Sequence, residues 1–450
     1  MYKPLRKTGL NMSKPSPFNQ FVQAFRATIE QFPDKRTGQN KHYSLVDAAL
    51  GAFAVFFTQS PSFLAYQRDM TARKGKSNAH TLFGLEEIPS DNQIRALLDP
   101  VSPERVFPLF EQGLATLEPT EQLAPFRSWQ NRLLVVLDGT QYFSSQKISC
   151  PNCSTKHHPN GTTTYSHSML TPVIVAPGRA QVLPLPPEFI VPQDGHDKQD
   201  CENAAAKRWL RQYAKYCRAK GIMILGDDLY SNQPLCEILI EEKLPFILVC
   251  KPDSHKTLYE RLESLEVGNE LPQLTLRTHT PHGVQLYTYR YAPHLPLRAT
   301  EDTLYVNWCE LTITTEQGSP LYHNAFVTGE TITQKSVADM VTAGRTRWKV
   351  ENENNNTLKT KGYHLEHNFG HGQQHLASLL ATFNILAFLW HTLLGLLDRK
   401  YRLLRQTLVS RKTFFDDVRA LTRYICFESW GHLLDFMLHG LEVAFPPNSS

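Results

Sequence analysis

Short apolar runs alternate with amphipathic stretches through the middle of the chain. Leu133 to Leu137, LLVVL, reads as a buried strand that ends in Asp138-Gly139. The segments TYSHSMLTPVIVA and AQVLPLPPEFIV flank Pro177-Gly178, which is a hairpin signal. A helical pattern covers about 198–219. Ile222 to Leu225 is a second buried strand, ending in Gly226-Asp227-Asp228, and a helix near 232–242 leads into the strand FILVC. Residues 272–330 are β-rich, as in VQLYTYRYA and DTLYVNWCELTITT. Helical patterns lie on both sides. The first spans about 44–128, where Ser90 and Gln93 form a capping-box pattern and Ser102 precedes Pro103. The second begins near 335 and runs to the end. The order predicts a mixed α/β layer with a β-rich insertion, preceded and followed by helices.

One stretch needs separate treatment. Leu376 to Leu397 carries no charged residue over 22 positions, long enough to cross a bilayer. Ser378, Thr382, Asn384, His391 and Thr392 interrupt it, and no second span accompanies it. A helix apolar all round also serves as the central helix of a large core, and that is the expectation here, with no membrane partner.

Composition changes little in this picture. The 450 residues suggest about three domain-sized units, and 41% hydrophobic with 20% charged residues excludes a disordered chain. Eight cysteines are too few for a disulfide scaffold, and the basic N-terminus lacks an apolar run, so a reducing, cytosolic compartment is expected. The net charge is only +4, but its distribution is uneven. Residues 1–41 carry a net +6, residues 345–361 carry +3 and residues 398–423 carry +5, which leaves −10 on the remainder. Such blocks neutralise phosphates and bind nucleic acid in a salt-dependent way.

Asp138 and Asp227 each end a predicted strand, where open α/β sheets place their ligands. Glu351 lies on the basic helix after the insertion, in RTRWKVENENNNTLKTKGYHLEHNFGHG. Clustered carboxylates repel unless cations neutralise them, and hard oxygen ligands select Mg²⁺ or Mn²⁺. Two such ions can activate a water or a 3′-hydroxyl and stabilise the leaving oxygen of a phosphodiester. A further metal candidate is Cys150-x2-Cys153, whose spacing suits zinc; His157, His158, His167 or Cys201 would complete it, and a reduced loop between strands is the alternative. His364, His367, His371 and His375 form another cluster, read as a polar turn because Gly370 and Gly372 break the helix a metal would need.

LDGTQYFSS around Asp138, ILGDDLYSNQPLC around Asp227 and RWKVENENNNTLKTKG around Glu351 together resemble a DDE transposase of a bacterial insertion sequence, the insertion-sequence-four type with a β-strand insertion. The resemblance spans about 85–395. It implies an RNase H-like catalytic sheet at 131–271 and 333–397, interrupted by the β-rich block 272–332. A basic arm with DNA-binding helices would occupy 1–130, and a helical region 398–450. It implies that Asp138, Asp227 and Glu351 hold two Mg²⁺ or Mn²⁺ ions. Arg345, Arg347, Lys359 and Lys361 would hold the phosphates of double-stranded DNA, and two copies of the chain would pair the element ends. Asp228 and Glu353 are rivals for the second and third acids. A same-fold nuclease that joins no strands and an inactive DNA-binding relative are the alternative functions. Two departures stand out: Gly344 replaces the family's Tyr three before Arg347, and Leu358 replaces the Lys seven after Glu351. Lys359, one residue later, falls about 80° off the Glu351 face of a regular helix.

Overall fold

A computed structural model describes residues 16–37, 41–70, 77–192, 200–281, 283–408 and 410–443. The start of the basic N-terminal segment, with Lys3, Arg6, Lys7 and Lys14, therefore lies outside the described residues.

Six helices come first: α1 (Pro17–Ile29), α2 (Leu45–Phe57), α3 (Phe63–Met70), α4 (Asn78–Phe83), α5 (Asp91–Leu98) and α6 (Pro108–Ala115). Ser90 caps α5 by accepting the Gln93 N–H, as its spacing predicts. Pro103 opens only a short 3₁₀ turn, without a side-chain cap from Ser102. Strand β1 (Leu133–Val136) follows, then β2 (Gly139–Ser145), β3 (Ser154–His157), β4 (Thr163–Leu170), β5 (Val173–Val175), β6 (Leu183–Pro184) and β7 (Glu188–Ile190). Next come α7 (Glu202–Lys220), β8 (Ile222–Gly226), α8 (Gln233–Glu241), β9 (Phe246–Val249) and α9 (Lys256–Val267). The β-rich block is β10 (Gln273–Thr280), β11 (Gly283–Pro296), β12 (Tyr305–Thr315) and β13 (Pro320–Thr328). The chain ends in helices α10 (Val337–Arg345), α11 (Asn356–Thr360), α12 (Leu376–Leu397), α13 (Arg399–Thr407), α14 (Arg411–Tyr424) and α15 (Trp430–Gly440).

The main sheet has nine strands in the order β10-β11-β12-β13-β9-β8-β1-β5-β6. Strands β1, β8 and β9 are parallel, and β5 runs antiparallel to β1. This is the mixed α/β, RNase H-like arrangement: an antiparallel trio extended by two parallel strands through crossover helices. Strand β13 pairs antiparallel with β9, so the inserted strands continue the same sheet. The apolar runs LLVV, IMILG and FILV are buried along their whole length, as the two-sided cover of a parallel centre requires.

A second sheet, β2-β4-β3 with β7 on β4, is not foreseen by the apolar pattern. Its strands are partly exposed and polar, and the hairpin signal at Pro177-Gly178 serves only β5 and β6. The chain crosses between sheets twice at one place. It leaves β1 for β2 at Asp138, and leaves β4 for β5 at Thr171-Pro172. The Asp138 carbonyl ties the two crossings by accepting the Thr171 N–H at 2.8 Å and its hydroxyl at 3.0 Å.

The N-terminal and C-terminal helices form one layer around α12. That helix is long and apolar enough to cross a membrane, yet 89% of its most apolar window is buried against protein. Phe21 stacks on Trp390 at 4.1 Å and Phe57 meets His391 at 4.3 Å. His391 is wholly buried, which holds its imidazole well below its ordinary pKa, and Tyr363 bonds its Nδ1 at 2.6 Å. Helix α2 is buried on nearly every side as well, so it has no free face to lay in a DNA groove.

Helix α10 packs closely on the sheet through Gly344. A Cβ there would stand 2.9 Å from Ile247 and 3.0 Å from Phe326, so the Tyr of the resembled family has no room in this chain. Gly344→Ala should destabilise the fold by about 1–3 kcal/mol through overpacking, read as a lower urea midpoint at unchanged slope.

Candidate active site

Parallel pairing of β1 with β8 sets Val136 level with Leu225. Two residues further on, Asp138 and Asp227 leave the ends of adjacent strands side by side. The third acid arrives from a different element. Beyond α10 the chain stays helical through a 3₁₀ turn and a π-helical stretch, Val350–Asn355, before α11. Glu351 stands on that π turn and pairs with Arg347 at 2.8 Å. The Asp138 carboxyl is pushed up from its ordinary 3.8 to about 7, first by burial and then by the charges of Glu202, Glu351 and Asp227, with Arg347 opposing. The charges of Asp227 and Glu351 thus both reach Asp138.

The rival acids sit in different settings. Asp228 accepts the Lys251 N–H at 2.7 Å and is bonded by the Ser254 hydroxyl, which anchors the loop after β9. Glu353 lines two grooves, one with Arg345, Arg347 and Lys349 and one with Arg405 and Arg411.

The run Asn354-Asn355-Asn356, a poor helix interior by propensity, forms the π turn and the start of α11. Asn354 and Asn355 are buried. The Asn355 amide donates to Asp138 Oδ2 at 2.7 Å, while its oxygen accepts from Thr171 Oγ1 at 3.1 Å and from Asn354 Nδ2 at 2.9 Å. The π turn also alters the helix register. An inserted residue absorbs about 100° of rotation, which returns Lys359 from about 80° off the Glu351 face to within about 20° of it. This explains why the basic residue falls eight places after Glu351, with buried Leu358 at the seventh. Lys359 is paired with Glu366 at 3.0 Å.

A fourth acid enters the site without any sequence signal. Glu202 opens α7, where an acidic residue is ordinary helix-terminus chemistry. Its carboxylate accepts the Gly139 N–H at 2.9 Å and is bonded by the buried Tyr230 hydroxyl. The contact requires glycine at 139, since a Cβ would lie 2.0 Å from Glu202. Asn355 carried a faint signal, a polar triplet inside a helix, and Tyr230 stood in the ILGDDLYSNQPLC motif without a role of its own; Glu202 and Thr171 carried none.

The predicted cations divide into two settings. Arg345 and Arg347 line a groove with Arg179, Trp348, Lys349 and Glu353, and Arg345 lies over the Tyr322 ring at 4.4 Å. Lys361 instead lines a cavity with Gln59, Arg411 and Arg419.

Among the described residues, one group of metal-suited side chains gathers at a point: Cys150, Cys153, His167 and His371. His157 and His158 instead bond the hydroxyls of Thr163 and Thr164 on the β3–β4 hairpin, and Cys201 is exposed at the start of α7. His371 thus leaves the histidine cluster of its own segment for the cysteine pair.

No protein-family model matches this chain, and no curated protein matches it. A solved structure described as the cryo-EM structure of the piggyBac transposase synaptic complex with hairpin DNA is similar at 11% identity and TM-score 0.39, over 96% of this chain and 83% of that one. A likeness this distant carries nothing to the chemistry of the site.

Proposed function

We propose that the chain is a DDE transposase, cutting DNA and joining 3′-hydroxyls to a target by divalent-metal phosphodiester chemistry. The observation that supports it most is that the charges of Asp227 and Glu351, carried on two other elements, both act on Asp138. The donors suit hard cations: the carboxylates are hard oxygen ligands, and burial together with the neighbouring negative charges favours a proton on Asp138 that a cation would displace. Asp138, Asp227 and Glu351 would hold two Mg²⁺ or Mn²⁺ ions, which supply activation of a water or 3′-hydroxyl and stabilisation of the leaving oxygen.

The chain's own residues prepare this site. Asn355 fixes one oxygen of Asp138, and Arg347 holds Glu351 until a cation competes for it. Glu202 orders the first residue of β2 through the Gly139 N–H. Arg345, Arg347 and Lys359 are assigned to DNA phosphates beside the acids, and a dimer would pair the two element ends. Lys361 is assigned to backbone contact further along the duplex.

The test is Mg²⁺-dependent cleavage and joining on DNA carrying the element ends, with two matched variants. Glu351→Gln should reduce both steps to background, whereas Glu353→Gln should stay within about threefold of the parent, a difference below 1 kcal/mol. The reverse ranking would move the third acid to Glu353. Cleavage without joining would reduce the function to that of a nuclease.

A further inference from the structure

We propose that Cys150, Cys153, His167 and His371 form a structural zinc site that ties the second sheet to the segment returning from the Glu351 helix. The argument rests on ligand geometry and does not depend on the DNA chemistry proposed above.

The four ligand atoms lie within 4.8 Å of one another. Tetrahedral zinc, with Zn–S near 2.3 Å and Zn–N near 2.0–2.1 Å, requires S···S of about 3.8 Å, S···N of about 3.5 Å and N···N of about 3.3 Å. The sulfurs of Cys150 and Cys153 are 3.8 Å apart. His167 Nε2 lies 3.4 Å from Cys150 Sγ and 3.6 Å from Cys153 Sγ. His371 Nε2 lies 3.2 Å from Cys153 Sγ and 3.3 Å from His167 Nε2. Five edges of a tetrahedron thus match the ligand shell of one ion. Hydrogen bonding alone gives no reason for two imidazole nitrogens and two sulfurs to point at a common centre.

The surroundings suit a closed site. Cys150 and Cys153 form a tight turn between β2 and β3, in which the Cys153 N–H donates to the Cys150 carbonyl at 3.1 Å and the Cys150 N–H points at Cys153 Sγ at 3.4 Å. An N–H aimed at sulfur favours the thiolate that binds metal. Tyr142 stacks on His167 and Phe143 packs on His371 at 4.4 Å, walling the cluster with rings. With four protein ligands no position is left for substrate, which marks a structural rather than a catalytic site.

Its place in the fold gives the ion a job. His167 is on β4 and His371 on the segment between α11 and α12, 204 residues away. A bond between them pins the exit of the Glu351 helix to the sheet whose first residue, Gly139, follows Asp138.

The full chain, purified without added metal, should contain about one zinc per molecule by mass spectrometry, as a closed four-ligand site retains its ion. Cys153→Ser and His371→Ala should each hold less than about a tenth of that, while His371→Cys should restore it as a three-cysteine site. Because a cysteine variant can lose its fold, the parent chain is also stripped and loaded with Co²⁺. The visible bands of tetrahedral cobalt and a thiolate charge-transfer band are expected. Absence of zinc together with an octahedral cobalt spectrum would overturn the site, as would zinc that survives both Cys153→Ser and His371→Ala. A Cys150–Cys153 disulfide in the freshly purified chain would overturn it too. None of these readouts depends on DNA cleavage.

Discussion

Asp138→Asn is expected to abolish Mg²⁺-dependent DNA cleavage and, in metal-free buffer at neutral pH, to make the protein more stable than its parent. The two effects share a cause. Burial and three neighbouring acids raise the Asp138 carboxyl from 3.8 to about 7 in the folded chain. Below pH 4 folded and unfolded states both keep the proton, so the group contributes nothing. Between about pH 4 and 7 the unfolded chain releases the proton while the folded chain retains it, so stability falls as pH rises. The penalty is complete above about pH 7. An amide removes it, for a gain of about 1–3 kcal/mol after the partial exposure of the site is allowed for. Thermal unfolding in chelator at pH 5 and pH 8 checks this: the variant should melt higher at pH 8, with the gap closing toward pH 4. Adding Mg²⁺ should raise the parent's midpoint and leave the variant's nearly unchanged, since only the parent binds the ion tightly. A variant less stable than its parent at pH 8 would remove the charge-repulsion account of the site.

Asn355→Ala should cost more than any other uncharged substitution in the site. Its side chain bonds Asp138, Thr171 and Asn354 at once, and Thr171 also closes the crossing between the sheets. Removal strands the buried Asn354 amide and leaves Asp138 free to rotate. The expected loss is about 2–4 kcal/mol of stability. Metal affinity or turnover should fall about 10–100-fold, as when a group that orients a metal ligand is lost. Asn355→Asp separates these roles. It keeps the acceptors for Thr171 and Asn354, but sets a carboxylate against Asp138 in place of a donor. The pair would share a proton, so the acid limb of the rate–pH profile should move to higher pH while the melting temperature drops less than for the alanine variant. A profile identical to the parent's would show that Asn355 supports the fold without tuning Asp138.

The parts of this protein that could be read locally are those with strong local signals. The runs LLVV, IMILG and FILV are apolar without interruption because a parallel centre is buried on both faces, so they stand out unaided. The second sheet does not, because strands with one wet face and short polar edges resemble loops. The Cys150–Cys153 pair is visible by spacing, but its histidines are not. His167 lies on β4, and His371 is more than two hundred residues downstream among other histidines. Only the fold selects it.

The same division runs through the acids. The residue string by itself determined that Asp138 and Asp227 end buried strands and that a basic helix carries Glu351, since strand ends and helix charge are set by neighbours along the chain. Tertiary structure alone decided that β1 and β8 are neighbours, that Asp228 anchors the loop after β9, and that Glu202 and Asn355 stand beside Asp138. It also decided that a π turn compensates for the extra residue before Lys359. Each of these depends on which elements pack together and in what register, and contacts between residues a hundred or two hundred positions apart leave no mark on local pattern.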